Sequence, residues 1–316
     1  MSKTHSTEEE SSEEETTTTI KEVDENASFF ATFIDGSSLR YLIEYLRMSS
    51  TEGTFIFTKD AIIYQKQDEE QGILNDVRLK TYELIDYEFS SENPEIIATI
   101  DLSNLRNKTR TVGKKEQLDI YRRSDEPSNF YVQVRSQEKS SGDNPVFYCM
   151  KMQSEDVTLY ELPVYSRGKK NPNCTIYQTD FSKVCKALVT NKCTYTEFIG
   201  YEKGIILKGY TNDGRVAMVK QYGKCQASVS SKSFTAKSVH TETIKSSVPT
   251  PKLNIKDAGI IEQFRVHIST IKSLAKINGF SGNGTIKFYI EKGLPMKITS
   301  KVGSFGKLNI IITSVE

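Results

Sequence analysis

No stretch of the 316-residue chain approaches the ~20 consecutive apolar residues that a membrane-spanning helix requires, and its start lacks the charged-then-apolar pattern of a secretory signal. A protein that is neither membrane-embedded nor secreted is expected. The five cysteines (Cys149, Cys174, Cys185, Cys193 and Cys225) are odd in number and include no CxxC pair. Free thiols in a reducing compartment follow, rather than a disulfide framework or a zinc site. Histidine is scarce as well. Of three, His5 lies in an acidic stretch, His240 in a polar loop and His267 at the end of a strand-like run. A Cys185–His267 nucleophile pair is opposed by the position of Cys185 on an apolar helical stripe, where a small buried hydrophobe is the ordinary reading. No Walker-type phosphate loop occurs; "GFSGNG" (279–284) reads as a turn between helix and strand. These absences argue against an enzyme, and no cofactor or metal is expected.

The net charge of +1 conceals an asymmetry. Residues 1–28 hold nine acids against Lys3 and Lys21, a charge of −7, which leaves +8 on residues 29–316. The low-complexity opening, "MSKTHSTEEESSEEETTTT", cannot build a core and reads as a disordered acidic tail. A second polar segment, residues 223–260, carries six lysines against Glu242 and Asp257 and reads as a long basic loop.

What the sequence does contain is one pattern written four times. "ATFIDGSSLRYLIEYL" (31–46), "IIATIDLSNLRNKTRTV" (96–112), "CTIYQTDFSKVCKALV" (174–189) and "FRVHISTIKSLAKI" (264–277) each run from an alternating strand through a capping residue into a short amphipathic helix. The capping residues are Asp35, Asp101, Asp180 and Ser269. Three strand-like runs follow each helix. The unit is strand, helix, three strands, and four copies fall into two pairs: an N-terminal domain (29–153), a connector (154–173) and a C-terminal domain (174–316). The fold class is α+β, with two similar domains whose units sit side by side, helices packed beneath a sheet. Opposite the apolar stripes lie cations: Arg40 and Arg47 flanking Glu44 on the first helix, Arg106, Lys108 and Arg110 around the second, Lys183 and Lys186 on the third, Lys272 and Lys276 on the fourth. Basic residues at equivalent places of a four-fold repeat make a long positive surface, the footprint of a phosphate backbone.

The third copy, "CTIYQTDFSKVCKAL", resembles the segment that opens the second domain of the proliferating cell nuclear antigen family of DNA sliding clamps. "YCMKMQSEDVTLYELP" (148–163) is similar to that family's last first-domain strand and its interdomain connector, and "LPMKITSKVGSFGKLNIIITSVE" (294–316) to its C-terminal strands. The resemblance implies a DNA-clamp (processivity) fold, in which three subunits close into a ring with the helices lining the hole. It implies that Arg40, Arg47, Arg106, Arg110, Lys183, Lys186, Lys272 and Lys276 face duplex DNA. Subunits then join through edge strands bearing Tyr148, Met150 and Met152 on one side and Val216, Met218 and Val219 on the other. An outer pocket of Tyr160, Leu162, Pro163, Pro295, Ile311 and Thr313 takes short motifs of polymerase and other replication and repair proteins. The acidic tail, the 223–260 loop and the Lys, Ile, Asn and Thr richness look more like the clamp of a large eukaryotic DNA virus. The nucleus or a cytoplasmic viral replication site is then the expected location. The alternative is a clamp-shaped DNA-binding or late-transcription accessory protein that closes no ring.

Overall fold

The computed structural model describes residues 26–68, 72–137, 145–155, 157–166, 171–225 and 259–314. The first unit runs β1 (Ala27–Phe33), α1 (Gly36–Ser49), β2 (Glu52–Thr58), β3 (Ala61–Asp68) and β4 (Ile73–Lys80). A short β5 (Asp86–Phe89) leads to the second: β6 (Glu95–Asp101), α2 (Leu102–Thr109), β7 (Glu116–Arg123), β8 (Asn129–Ser136) and β9 (Val146–Gln153). The third is β10 (Cys174–Tyr177), α3 (Gln178–Thr190), β11 (Tyr195–Tyr201), β12 (Lys203–Tyr210) and β13 (Val216–Lys224). The fourth is β14 (Ile260–His267), α4 (Ile268–Leu274), β15 (Thr285–Tyr289), β16 (Met296–Val302) and β17 (Gly306–Ile312), with a 3-10 turn, Ala275–Gly279, continuing α4. The four-fold strand–helix–three-strand repeat is thus present.

The units lie side by side, and they are not self-contained sheets. Each opening strand crosses to its partner unit: β1 pairs with β7 and β6 with β2, while β10 pairs with β15 and β14 with β11, all antiparallel. Every residue of β1 is buried, whereas β10 and β14 keep one face exposed. Hydrogen bonding then continues through thirteen strands in the order β10-β15-β16-β17-β4-β3-β2-β6-β9-β8-β7-β1-β5, beside a four-stranded sheet β13-β12-β11-β14. The two halves of the chain meet where β17 pairs with β4, from Gly306 opposite Leu79 to Ile312 opposite Ile73.

One apolar core fills the space between sheets and helices in both halves. Phe29, Phe57 and Phe130 cluster in the first half, with Phe181, Phe198 and Phe288 in the second. Phe33 against Phe305 (5.0 Å) and Tyr45 against Phe280 (5.8 Å) join the halves. Leu39, Leu42, Ile43 and Leu46, the expected stripe of α1, are buried.

Local chemistry departs from expectation at three points. β1 begins two residues inside the segment read as tail, because Ala27 is buried and the Ser28 hydroxyl donates to the Arg122 carbonyl at 3.0 Å. Residues 1–25 of that segment lie outside the described residues, as do 226–258 of the expected long loop. Asp35 and Asp101 cap their helices, Asp35 accepting from the Ser38 amide at 3.1 Å and Asp101 from that of Ser103 at 2.7 Å. Asp180 does not; α3 starts earlier, at Gln178, and Asp180 falls in its first turn, where its charge favours the helix dipole. On α4 the cap is His267, whose Nδ1 accepts from the Ser269 amide at 3.3 Å.

Candidate nucleic-acid interface

The helices form a layer in the order α2, α1, α4 with its 3-10 turn, and α3, each packed on the next. Close approach at the middle crossing depends on Gly279, where a Cβ would stand 2.2 Å from the Tyr41 ring. Across the same crossing the Ser38 hydroxyl donates to the Phe280 carbonyl at 2.8 Å. A cleft of ≈ 1110 Å³ opens on this surface between α1, α3 and residues 275–282, and Lys114, Lys186, Lys272 and Lys276 line it.

The eight expected cations are not equivalent. Arg47, Arg106, Arg110, Lys183, Lys186 and Lys272 are exposed. Arg40 is half-buried; its guanidinium stacks 4.3 Å from the Tyr41 ring and donates to the Arg110 carbonyl at 3.2 Å. Lys276 sits on the 3-10 turn and pairs with Glu44 at 2.7 Å, tying the two halves together. Its charge is already matched, and it counts as a structural contact more than a free cation. Lys183 lies 3.7 Å from Asp180, but both are well exposed and solvent screens the pair. Lys114 was not anticipated. It stands between α2 and β7, outside any helical periodicity, and only the fold brings it to the cleft.

The ends of the layer are open. Among the described residues β13 pairs only with β12, and β9 pairs with β8 along its length but with β6 only at Met152 and Gln153. The side chains of Met150, Met152 and Met218 point into their own core, while Tyr148, Val216 and Val219 are half-buried. Alternation therefore turns Phe147 (54% exposed) and Cys149 outward on β9, two residues the sequence reading passed over.

On the sheet face opposite the helices runs the connector. The Tyr160 amide donates to Gln65 Oε1 at 2.5 Å, and Gln65 Nε2 donates back to the Tyr160 carbonyl at 3.2 Å. Tyr165 donates its hydroxyl to the Pro295 carbonyl at 2.7 Å, and Ser166 binds Glu291. Burial pushes the Tyr165 hydroxyl pKa up, and partial burial, then Lys307, lowers that of Lys297 beside it. Beneath the connector a polar ladder crosses the junction of the halves: Gln65, the fully buried Asp76, Asn309 and Thr299. Leu162, Pro163 and Pro295 are half-buried here, Tyr160 and Thr313 are exposed, and Ile311 is buried at 4% exposure. The sequence reading missed Gln65 and Tyr165, whose partners are distant in sequence.

No family model and no curated protein matches the chain in sequence. Among solved structures, the chain is similar to the proliferating cellular nuclear antigen from Entamoeba histolytica, at TM-score 0.66 and 11% identity over 92% of this chain and 100% of that one. It is likewise similar to a PCNA2–PCNA3 complex from Sulfolobus tokodaii, at TM-score 0.62 and 13% identity over 90% and 98%. The chain has the DNA-clamp fold.

In clamp terms, the cations expected on the helices share the helical surface, and the connector residues share the opposite face with the C-terminal strands. Among the described residues no group of three or more His, Cys, Asp or Glu side chains could hold a metal ion.

Proposed function

We propose that this chain is a sliding clamp that joins head to tail into a ring around duplex DNA and tethers replication and repair proteins on its outer face. One observation carries the reading. Inside the chain, two units meet through their last strands, β4 and β17, with α1 packed on α4 and its 3-10 turn behind them. The other two units end in β9 backed by α2 and in β13 backed by α3, and among the described residues both edges are open along most of their length. Repeating the internal junction between molecules pairs β9 of one with β13 of the next. Such a contact is heterologous and closes into a ring when the rotation allows. By resemblance the ring has three subunits.

Within the ring, Arg47, Arg106, Arg110, Lys183, Lys186 and Lys272 meet phosphates without reading bases, so contacts are salt-sensitive and mobile. The outer site expected from the resemblance, with the exposed Tyr160 and half-buried Leu162 of the connector, takes short motifs by burying one or two apolar anchors. The deciding experiment is native mass spectrometry combined with binding to linear and to circular duplex. A trimer retained on closed circles but shed from linear ends is expected. A monomer that binds both alike would overturn the ring and favour the clamp-shaped accessory protein.

A further inference from the structure

The outer face of the sheet where the two halves meet has an unbalanced charge pattern. Strands β4, β15, β16 and β17 contain six cations and one acid. By strand alternation all six (Arg78, Lys80, Lys287, Lys297, Lys301 and Lys307) share the face opposite the helices with that acid, Asp76. Register sets Lys301 opposite Lys307 and Lys307 opposite Arg78, three cations in one row. Adjacent strands are ~4.8 Å apart, so the row spans about 10 Å. Like charges directly opposite one another are unfavourable in a sheet. Asp76, fully buried and bound by Asn309 and Gln65, pairs with Arg78 at 3.5 Å and attracts Lys307, but it is a single acid set against the six cations of this face. Lys287, Lys301 and Lys307 are exposed and make no ion pair among the described residues. The helical face differs: its cations are spread over four helices and interleaved with Asp180 and Glu44.

The chain supplies a counterpart of its own. Residues 8–15 read EEESSEEE, six glutamates with no cation among them. Their distance from the row is within reach. The turn between β16 and β17 carries Phe305, which touches Phe33 at the far end of β1. Seven residues of strand set Ala27 about 23 Å from that contact. The twelve steps from Glu15 to Ala27 span up to ~40 Å.

We propose that the cationic row Lys301–Lys307–Arg78, with Lys287 beside it, is an anion-binding surface whose occupant is the acidic segment 8–15 of this chain. The segment neutralises a like-charge row that the sheet register creates. This holds whether or not the chain closes a ring.

Zero-length carbodiimide coupling of the full chain, read by mass spectrometry, tests it. Glu44 to Lys276, at 2.7 Å, is the internal positive control. Cross-links from residues 8–15 to Lys287, Lys301 and Lys307 are expected, at least fivefold weaker in 0.5 M NaCl. They should vanish in a Lys301→Glu/Lys307→Glu variant, and in a second variant with the six glutamates changed to glutamine, while the control persists. Cross-links chiefly to Lys183, Lys186 or Lys272 would overturn the proposal. So would an intact control with no cross-link from residues 8–15.

Discussion

Asp119 is fully buried in β7 and is held from two sides, by the Thr32 hydroxyl at 2.9 Å and by Arg135 Nη2 at 2.7 Å. Burial raises its pKa above the usual aspartate value, and Arg135 and Thr32 pull it partly back. The folded chain therefore binds this proton more tightly than the unfolded one. The contribution of Asp119 to stability falls as pH rises from the ordinary aspartate range through the raised folded value, and is constant above it. Removing Arg135 leaves the carboxylate buried without its cation. Arg135→Met is expected to cost about 3 kcal/mol in urea unfolding at pH 7. It should lose less at acid pH, where Asp119 is neutral. An equal loss at both pH values would rule out the charge as the cause. Gly279 poses a steric question instead. A Cβ there meets backbone-proximal atoms of the Tyr41 ring, so Gly279→Ala should destabilise by about 1–3 kcal/mol through overpacking. Adding Tyr41→Ala should restore part of the loss; no restoration would mean that the clash lies elsewhere.

At the scale of elements, the open edge of β9 is the testable surface. Phe147 and Cys149 point away from the core there, so Phe147→Glu leaves each half folded but adds charge where a second chain would pair. A lower native mass with unchanged thermal unfolding is expected; an unchanged mass would remove β9 from the interface. Cys149 is the one exposed cysteine among five, and burial pushes the Cys174 thiol to about 11 and the Cys225 thiol to about 12. Rapid alkylation of a single thiol is expected, slowed when the chain assembles. Elements of this kind were largely legible in the sequence. Leu39, Leu42, Ile43 and Leu46 mark α1 because helical spacing is local, and the repeat multiplied that signal by four. The parity of β9 was not legible: its first five residues, VFYCM, are apolar on both faces, and only the core decides which points inward. Nor was the exchange of β1 and β6 between units, which depends on partners far along the chain. Lys276 looked like a free cation for the same reason, since Glu44 is 232 residues away.

At the scale of the molecule, the cations of the helical layer divide into those with an ion-pair partner among the described residues and those without. Lys186→Ala and Lys272→Ala are each expected to lower the slope of log duplex affinity against log salt by roughly one. Lys276→Ala should change the slope less and the stability more, because it breaks the bridge between the halves. Equal slopes for all three would mean that the Glu44 pair is open when DNA binds. The junction of β4 with β17 also has a meaning in time. Asp76 and its partner Asn309 lie 233 residues apart, so during synthesis β4 is complete long before the strand that covers its edge exists. Until then Leu74, Asp76 and Arg78 border an unpaired ladder, and such edges recruit other strands. Long-range pairings of this sort also close slowly, because the loop entropy must be overcome before contacts compensate. A nascent N-terminal half therefore waits with the β4 edge open in addition to that of β9, and its hazard in the cell is association with another half-made copy of itself.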